Sequence, residues 1–196
     1  MSKRLFDIAA AGTGLLLLAP LLLALALWIR LDSPGPALFR QVRVGRHGVP
    51  FEILKFRTMV TGAELGPQLT TGGDSRITRA GRFLRRCKLD ELPQLVNVLL
   101  GSMSLVGPRP EVPRYVACYP PDVRRTVLSV APGITDWAAI LYKDENDILA
   151  RAADPERAYL DTILPAKLCW YERYVRERSF WVDLRILART LAAIVR

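Results

Sequence analysis

The chain begins with one long apolar segment and continues as a series of shorter elements of mixed polarity. Ile8 to Ile29 is an uncharged, apolar run of about 22 residues, and a helix of that length can cross a bilayer. Lys3 and Arg4 precede the run, and Arg30 follows it. Three arrangements fit this pattern: a signal peptide, a single transmembrane helix, and a helix that enters the membrane, bends and leaves on the same side.

The charges around the apolar run favour the third arrangement. Cytoplasmic flanks of membrane segments carry an excess of Lys and Arg, so both ends of the run are expected on the cytoplasmic side. Pro20 lies near the middle, where a proline removes a backbone hydrogen bond and kinks a helix. We therefore predict a re-entrant membrane helix over residues 1–31 with its break at Pro20, and a cytosolic, membrane-associated domain over residues 32–196. A simple span remains the alternative.

Two strand patterns follow the apolar run. Ala37 to Val44 and Pro50 to Met59 are expected to form a β-hairpin, because a turn rich in glycine separates them. Lys55 and Arg57 alternate along the second strand and can face the same side of it. They form either a solvated sheet face or a basic wall of a site.

Most of the remaining chain has helical spacing. Phe180 to Arg196 is amphipathic, with aromatic residues at its start, and is expected either to lie in the membrane interface or to dock on the core. The predicted fold class is α+β and predominantly helical. It combines a re-entrant N-terminal helix, a small β-hairpin and interfacial amphipathic helices around a compact core.

Two adjacent carboxylates, Asp90 and Glu91, stand before apolar residues that recur at helical spacing from Leu92 to Leu100. The pattern predicts that both lie in the first turn of a helix, where the helix dipole favours their charged forms. Acidic residues in a first turn often serve only as caps. The pair is therefore either a cap or a reactive site.

Composition narrows the choice of partner. The chain has 196 residues, a formal net charge of +9 and 51% hydrophobic residues, which together point to an anionic membrane surface or a phosphate-bearing substrate. Its three cysteines include no CxxC pair, so a zinc site or a disulfide framework is not expected. His47 is the only histidine, which disfavours Ser–His and Cys–His catalysis.

Arginines surround the Asp-Glu pair in the sequence. Arg85 ends a series of arginines spaced three residues apart, which form one cationic stripe if the segment is helical. Arg109 stands between Pro108 and Pro110, which stiffen the backbone on both sides. A rigidly held arginine suits bidentate contact with a phosphate or a carboxylate, and pairing with a structural carboxylate explains it equally well.

These segments resemble one protein family over nearly the whole chain, the bacterial sugar transferases, which are small monotopic phosphoglycosyl transferases acting on polyprenyl phosphate. The resemblance is carried by several motifs that occur in one order after the apolar run. They are Lys3-Arg4-Leu5-Phe6-Asp7, Lys55-Phe56-Arg57-Thr58-Met59, Leu89-Asp90-Glu91-Leu92-Pro93-Gln94-Leu95, Ser104-Leu105-Val106-Gly107-Pro108-Arg109-Pro110 and Pro132-Gly133-Ile134-Thr135.

The resemblance implies a covalent mechanism. Asp90 would attack a nucleotide diphosphate sugar and release the nucleoside monophosphate, and polyprenyl phosphate would then take the phosphosugar from the aspartate. Asp90 and Glu91 match the catalytic and Mg²⁺-proximal carboxylates, and Arg85 and Arg109 match phosphate-binding arginines.

The family pattern places Lys55 and Arg57 in a basic, phosphate-binding strand, and Pro20 matches the break of the membrane helix. The expected location is the cytoplasmic face of a bacterial inner membrane, with membrane lipids as neighbours. The segment 136–145 departs from the family pattern, so the sugar is not determined.

A competing hypothesis is a non-enzymatic, basic adaptor that binds anionic lipids on the membrane surface. Nucleic acid is not expected as a partner, because no groove-reading motif is present. The sequence does not determine the oligomeric state and is compatible with a homodimer.

Overall fold

The computed structural model describes residues 2–63, 66, 74–142 and 144–195. Its predominantly helical α+β class and its β-hairpin confirm the prediction. The helices and strands in chain order are α1 (Ser2–Asp32), β1 (Leu38–Val44), β2 (Pro50–Phe56), α2 (Arg79–Arg86), α3 (Gln94–Leu100), β3 (Ser104–Val106), α4 (Pro113–Val116), α5 (Pro121–Val127), β4 (Gly133–Thr135), α6 (Trp137–Leu141), α7 (Glu145–Ala150), α8 (Pro155–Ala158), α9 (Leu164–Glu177) and α10 (Phe180–Val195).

The hairpin is antiparallel, with Leu38 opposite Phe56 and Val44 opposite Pro50. Its second strand ends at Phe56, before the predicted end at Met59. Beyond Phe56 the chain turns to a new neighbour, and Met59 forms a single antiparallel bridge with Ile77. Lys55 therefore belongs to the strand and Arg57 does not.

A second, parallel pair of strands was not predicted. β3 and β4 have only three residues each, which is too short to show alternation in the sequence. Their backbones approach closely at two glycines: a Cβ on Gly133 would lie 2.0 Å from the backbone nitrogen of Gly107. The Gly133 N–H also donates to the Pro108 carbonyl at 3.0 Å. This contact fixes the start of the loop that carries Arg109.

The long helix α1 includes Pro20 and is apolar and long enough to cross a membrane. Its two ends pack against the rest of the protein, since Ala11 and Ile29 are fully buried, whereas Leu17 near the middle is 73% exposed. α1 therefore contacts the globular part of the chain at both ends and presents an apolar middle.

Polar contacts tie the N-terminal end of α1 to the core. Lys3 forms an ion pair with Asp183 of α10, and the Arg4 guanidinium donates to two carbonyls of α3. Asp7 is buried and accepts a hydrogen bond from Ser104 Oγ at 2.8 Å. Since all three side chains are paired and Asp7 is buried, this end of α1 is held in one position.

The C-terminal end of α1 is held to α2. Asp32 Oδ2 accepts the Ala80 N–H at 2.9 Å, and Ile29 packs in an apolar cluster with Leu84 and Phe56. The N-terminal end of α1 thus contacts α3 and α10, and its C-terminal end contacts α2.

The last helix, α10, docks on the core through one face. Ile186 and Asp183 are buried on that face, whereas Trp181 and Leu191 are 76% and 66% exposed on the other. The docking predicted as one alternative is confirmed, and the exposed apolar side chains leave a surface suited to a membrane interface.

Candidate active site

The Asp-Glu pair lies in a tight turn rather than in the first turn of an α-helix. Leu89–Glu91 form a 3-10 turn, and α3 begins only at Gln94. Lys88 enters the turn with φ of 55°, a left-handed conformation that is uncommon outside glycine. The predicted start of the helix was therefore a few residues too early, and the turn directs both carboxylates toward β2 and the Arg109 loop.

Glu91 is held by two cations. Lys55 Nζ lies 3.0 Å from Glu91 Oε1, and the Arg109 guanidinium pairs with both oxygens, at 3.1 Å for Nη1 to Oε2. Burial raises the pKa of Glu91, but the charges of Arg109 and Lys55 outweigh it and hold that pKa well below its usual range. Glu91 is therefore ionised and fixed in place.

Asp90 has a different environment from its neighbour. Within the described residues its carboxylate has no hydrogen bond or ion pair. Burial, followed by the negative charge of Glu91, raises the pKa of Asp90 above its ordinary value, although Lys55 and Arg85 act in the opposite direction. The predicted effect of a helix N-terminus, which would favour the charged form of Asp90, is thus outweighed by burial and by the charge of Glu91. The side chain is an unpartnered carboxylate close to cations, which is what a nucleophile or a metal ligand requires.

The four predicted basic residues, Lys55, Arg57, Arg85 and Arg109, all line the same cavity as the carboxylates, but their contacts differ. Arg85 donates from Nε to Thr58 Oγ1 at 2.9 Å. It is also close enough to Asp90 for the negative charge of that carboxylate to act on the pKa of Arg85. Lys55, Arg85 and Arg109 thus share the cavity with the Asp-Glu pair, and their contact with phosphate remains a prediction.

Arg57 has other partners. Its buried guanidinium donates to the carbonyls of Pro36, Ser33 and Pro34 at 2.7, 2.7 and 2.8 Å, and to the carbonyl of Ile29 at 3.3 Å. Arg57 therefore organises the turn that leaves α1. The structure gives this side chain a role in folding, and the predicted contact with phosphate remains a prediction.

A cavity of about 3000 Å³ adjoins the Asp-Glu pair. We call the part lined by apolar residues of α1 and α10 the apolar arm, and its residues are Phe6, Gly14, Leu17, Leu18, Leu187 and Leu191. We call the part lined by polar residues of α7 and α9 the polar arm. Charged and aromatic side chains from several elements meet there, and the sequence analysis did not assign them to the site. They are Arg43, Glu111, Tyr142, Glu145, Tyr159 and Lys167.

Metal binding depends on the carboxylate pair. Within the described ranges, no group of three or more His, Cys, Asp or Glu side chains could hold an ion by itself. Mg²⁺ usually takes one or two carboxylates together with substrate phosphates and water. Asp90 has free oxygens, and Glu91 Oε2 accepts only one hydrogen bond. The donor set therefore fits Mg²⁺ bound together with a phosphorylated substrate.

Asp136 caps α6 next to this site. Its Oδ1 accepts the Ala139 N–H at 3.0 Å, and its buried Oδ2 has no partner within the described residues. Burial raises the pKa of Asp136 from 3.8 to about 6. Since the folded state binds this proton more tightly than the unfolded state does, the group opposes folding increasingly as the pH rises through 6.

Asp136→Asn is expected to stabilise the protein at pH 8 by on the order of 2 kcal/mol, because the amide keeps the cap and removes the buried charge. At pH 3 the carboxyl is mostly protonated in the folded and the unfolded state, so the substitution should have little effect there, and its effect should grow as the pH rises from 3 to above 6. Thermal unfolding at pH 3 and pH 8 measures this. An equal Tm gain at the two pH values would show that the buried charge of Asp136 does not oppose folding.

The structure combines a helix long enough to cross a membrane with a cavity that is lined by carboxylates and cations. These two features fit membrane-associated enzymes that act on phosphorylated groups. A family model of bacterial sugar transferases matches residues 1–196, and the chain belongs to that family.

Three relatives illustrate the similarity. The chain is 39% identical over 98% of its length to a UDP-N-acetylgalactosamine-undecaprenyl-phosphate N-acetylgalactosaminephosphotransferase of Aeromonas hydrophila. It is 40% identical to UDP-glucose:undecaprenyl-phosphate glucose-1-phosphate transferases of Caulobacter vibrioides and Escherichia coli, over 100% and 96% of the chain. These matches cover 43%, 70% and 39% of the respective relatives, so the chain spans about two fifths of the length of two of them.

Proposed function

We propose that this protein transfers a sugar 1-phosphate from a nucleotide diphosphate sugar, specifically a UDP-sugar, to undecaprenyl phosphate and releases UMP. The product would be the first membrane-bound intermediate in the synthesis of a polysaccharide or another glycoconjugate. The observation that carries the proposal is Asp90, a half-buried carboxylate that has no hydrogen bond or ion pair to any described residue and lines a cavity together with cations. The relatives' names support the substrate classes.

The proposed chemistry has two displacements at one phosphorus. A carboxylate oxygen of Asp90 bonds to the β-phosphorus, and the bond from that phosphorus to the oxygen bridging to UMP breaks, so that UMP leaves with the electron pair. A phosphosugar–aspartyl ester remains. A phosphate oxygen of undecaprenyl phosphate then attacks the same phosphorus. Asp90 leaves as the free carboxylate, and a polyprenyl diphosphate-linked sugar forms.

The cations around the pair make this attack feasible. An anionic diphosphate is repelled by a carboxylate unless positive charge screens the two. Arg109 and Lys55 neutralise Glu91, which leaves Asp90 as the carboxylate free to react. Arg85 lies on the opposite side of the turn, where its remaining donors can bind a phosphate oxygen.

Asp90 and Glu91 would also hold Mg²⁺ together with the diphosphate. When bound, the ion would neutralise charge that develops on the phosphate oxygens. Ionised Glu91 suits this role, because its low pKa keeps it charged over the whole physiological range.

The apolar arm of the cavity supports a lipid substrate. Gly14, Leu17 and Leu18 of α1 and Leu187 and Leu191 of α10 all line it. An isoprenoid chain can follow such a surface from the bilayer to the carboxylates without exposing itself to water. The polar head of the lipid would then reach Asp90 from the membrane side.

The path of α1 through the membrane is also proposed. We infer that α1 enters and leaves on the cytoplasmic face of the bacterial inner membrane, as a monotopic anchor that bends near Pro20. Aromatic pairs lie at both of its ends: Phe6 packs on Phe180, and Trp28 packs on Phe83, each at 5.4 Å between ring centroids. Aromatic side chains favour the membrane–water interface.

Cysteine labelling tests this topology. Ser2→Cys and Pro36→Cys, each introduced without the native cysteines, are expected to react only from the cytoplasmic side. A chain that keeps only Cys118, which is exposed on the globular part, gives the cytoplasmic reference. Labelling of one engineered cysteine from the periplasmic side would show that α1 spans the bilayer.

A substrate screen tests the reaction itself. Purified protein with undecaprenyl phosphate and Mg²⁺ is expected to release UMP from at least one UDP-sugar, and the release should require the lipid phosphate. Mass spectrometry should identify the polyprenyl diphosphate-linked sugar. A complete panel of UDP-sugars that yields neither product would contradict the proposed function.

A further inference from the structure

A row of paired charges runs along the polar arm of the cavity, starting beside Arg109. Arg43 of β1 donates from Nη1 to the Pro110 carbonyl at 3.0 Å and lies 3.5 Å from Glu111 Oε2. The first pair of the row, Arg43 and Glu111, is thus attached directly to the loop that carries Arg109. Both side chains are largely buried.

The row continues to α9 and α7. Tyr159 donates its hydroxyl proton to Glu111 Oε1 at 2.7 Å. Lys167 Nζ lies 3.8 Å from that oxygen and 2.9 Å from Glu145 Oε2. Lys167 is only 5% exposed, whereas Glu145 is 22% exposed. We call Arg43, Glu111, Tyr159, Lys167 and Glu145 the charged row.

The charged row differs in charge balance from the Asp-Glu end of the cavity. Two cations, Arg43 and Lys167, are matched by two carboxylates, Glu111 and Glu145, so the row has little net attraction for an anion. At the other end, Lys55, Arg85 and Arg109 outnumber Asp90 and Glu91 and suit a diphosphate. The charged row is therefore suited to a neutral ligand rich in hydrogen-bonding groups.

Glu145 can contact such a ligand directly. Only its Oε2 accepts a hydrogen bond from a described residue, and its side chain is the most exposed of the charged pairs. Tyr142, three residues earlier, also lines this arm and offers an aromatic face. A free carboxylate oxygen beside an aromatic surface is a suitable pair of groups for binding the hydroxyls and the C–H face of a sugar.

We propose that the charged row, with Glu145 and Lys167 at its open end, binds the sugar of the nucleotide sugar and selects among sugars by their hydroxyl arrangement. This proposal rests on the proposed function. The sugar is joined to the phosphorus that Asp90 attacks, whereas the nucleoside lies one phosphate further away. The charged row adjoins the Asp-Glu pair through Arg109, which is where the sugar must lie.

The test compares Glu145→Gln with wild type on four UDP-sugars that differ at C2 and C4: UDP-glucose, UDP-galactose, UDP-N-acetylglucosamine and UDP-N-acetylgalactosamine. The variant keeps the shape but loses the charge that orients Lys167. The ratio of kcat/KM between the best and the second-best sugar is expected to change by about tenfold or more, since a site that hydrogen-bonds a hydroxyl discriminates strongly. Inhibition by UMP should stay within about twofold of wild type.

Glu177→Gln is the matched control. Glu177 pairs with Arg173 on the exposed side of α9, so its loss removes a similar ion pair outside the cavity. Its sugar ratio and its inhibition by UMP should equal those of wild type.

Three results of the kinetic comparison would overturn the proposal. An unchanged sugar ratio, or an equal loss for all sugars with a lower Tm, would make the charged row structural only. A changed inhibition by UMP with an unchanged sugar ratio would assign the charged row to binding of the nucleoside.

If wild type turns over none of the four sugars, thermal shifts with the same UDP-sugars replace kcat/KM. A sugar-dependent shift that is lost in Glu145→Gln would support the charged row, and one that persists unchanged would overturn it, whatever the fate of the proposed reaction.

Discussion

Replacing Asp90 with asparagine is expected to lower UMP release by at least about 1000-fold, because an amide cannot form the phosphosugar ester. The substitution is nearly isosteric. It also removes a carboxyl group whose pKa is raised by burial, which means that the folded state disfavours its charged form. The variant should therefore be at least as stable as wild type. Initial rates of UMP release and thermal unfolding, measured on the same preparation, separate lost chemistry from lost folding.

The same variant separates the enzyme from the lipid-binding adaptor. An adaptor would keep its whole function in Asp90→Asn and would lose it with Arg79→Gln and Arg82→Gln, which remove charge from the stripe on α2. The enzyme should keep its binding to anionic vesicles in Asp90→Asn while losing turnover. Turnover at the wild-type rate in this variant would exclude Asp90 as the nucleophile.

Arg57→Met is expected to destabilise the protein by about 3 kcal/mol, the largest stability effect among these substitutions. The methionine fills similar space but removes the buried guanidinium that donates to the carbonyls of Ser33, Pro34 and Pro36, and hydrogen bonds from a charged donor stabilise more than neutral ones. The C-terminal end of α1 should then loosen from the globular part. Thermal unfolding in detergent measures the loss, and proteolysis within residues 33–36 should become faster.

Arg82→Met is the control for this prediction, since Arg82 is exposed and donates to a single carbonyl, that of Ile77, at 3.3 Å. Its Tm should stay close to that of wild type. The comparison also tests the sequence prediction for Arg57. If Arg57→Met kept its Tm but raised the KM for the nucleotide sugar, the Arg57 side chain would bind phosphate rather than stabilise the turn that leaves α1.

Local patterns in the sequence were sufficient for several elements of the fold and the site. The alternation on both sides of Gly45 predicted the hairpin, and the two prolines around Arg109 predicted a rigid arginine. Lys55 and Arg109 come from distant parts of the chain, yet both reach Glu91. Pairing with a carboxylate was one of two alternatives that the sequence left open for Arg109, whereas the contact of Lys55 with Glu91 was not predicted.

Other features depend on contacts that no local pattern reveals. Arg57 resembles Lys55 in the sequence, but the strand ends between them and turns Arg57 toward α1. The pairing of β3 with β4 is decided by two glycines that permit close backbone approach. Lys167 has a helical pattern like that of its neighbours, and only the folded chain shows that it meets Glu145 and Glu111.

The attachment of α1 at both ends means that a chain without this helix is not expected to fold. A truncated chain starting near residue 32 would lose the partners of Asp183 and Ser104, and it would expose apolar side chains such as Leu84 that now cover Ile29. We therefore expect α1 and the residues that follow it to fold as one unit. Preparations of this protein should keep residues 2–32 and supply a bilayer or detergent around the middle of α1.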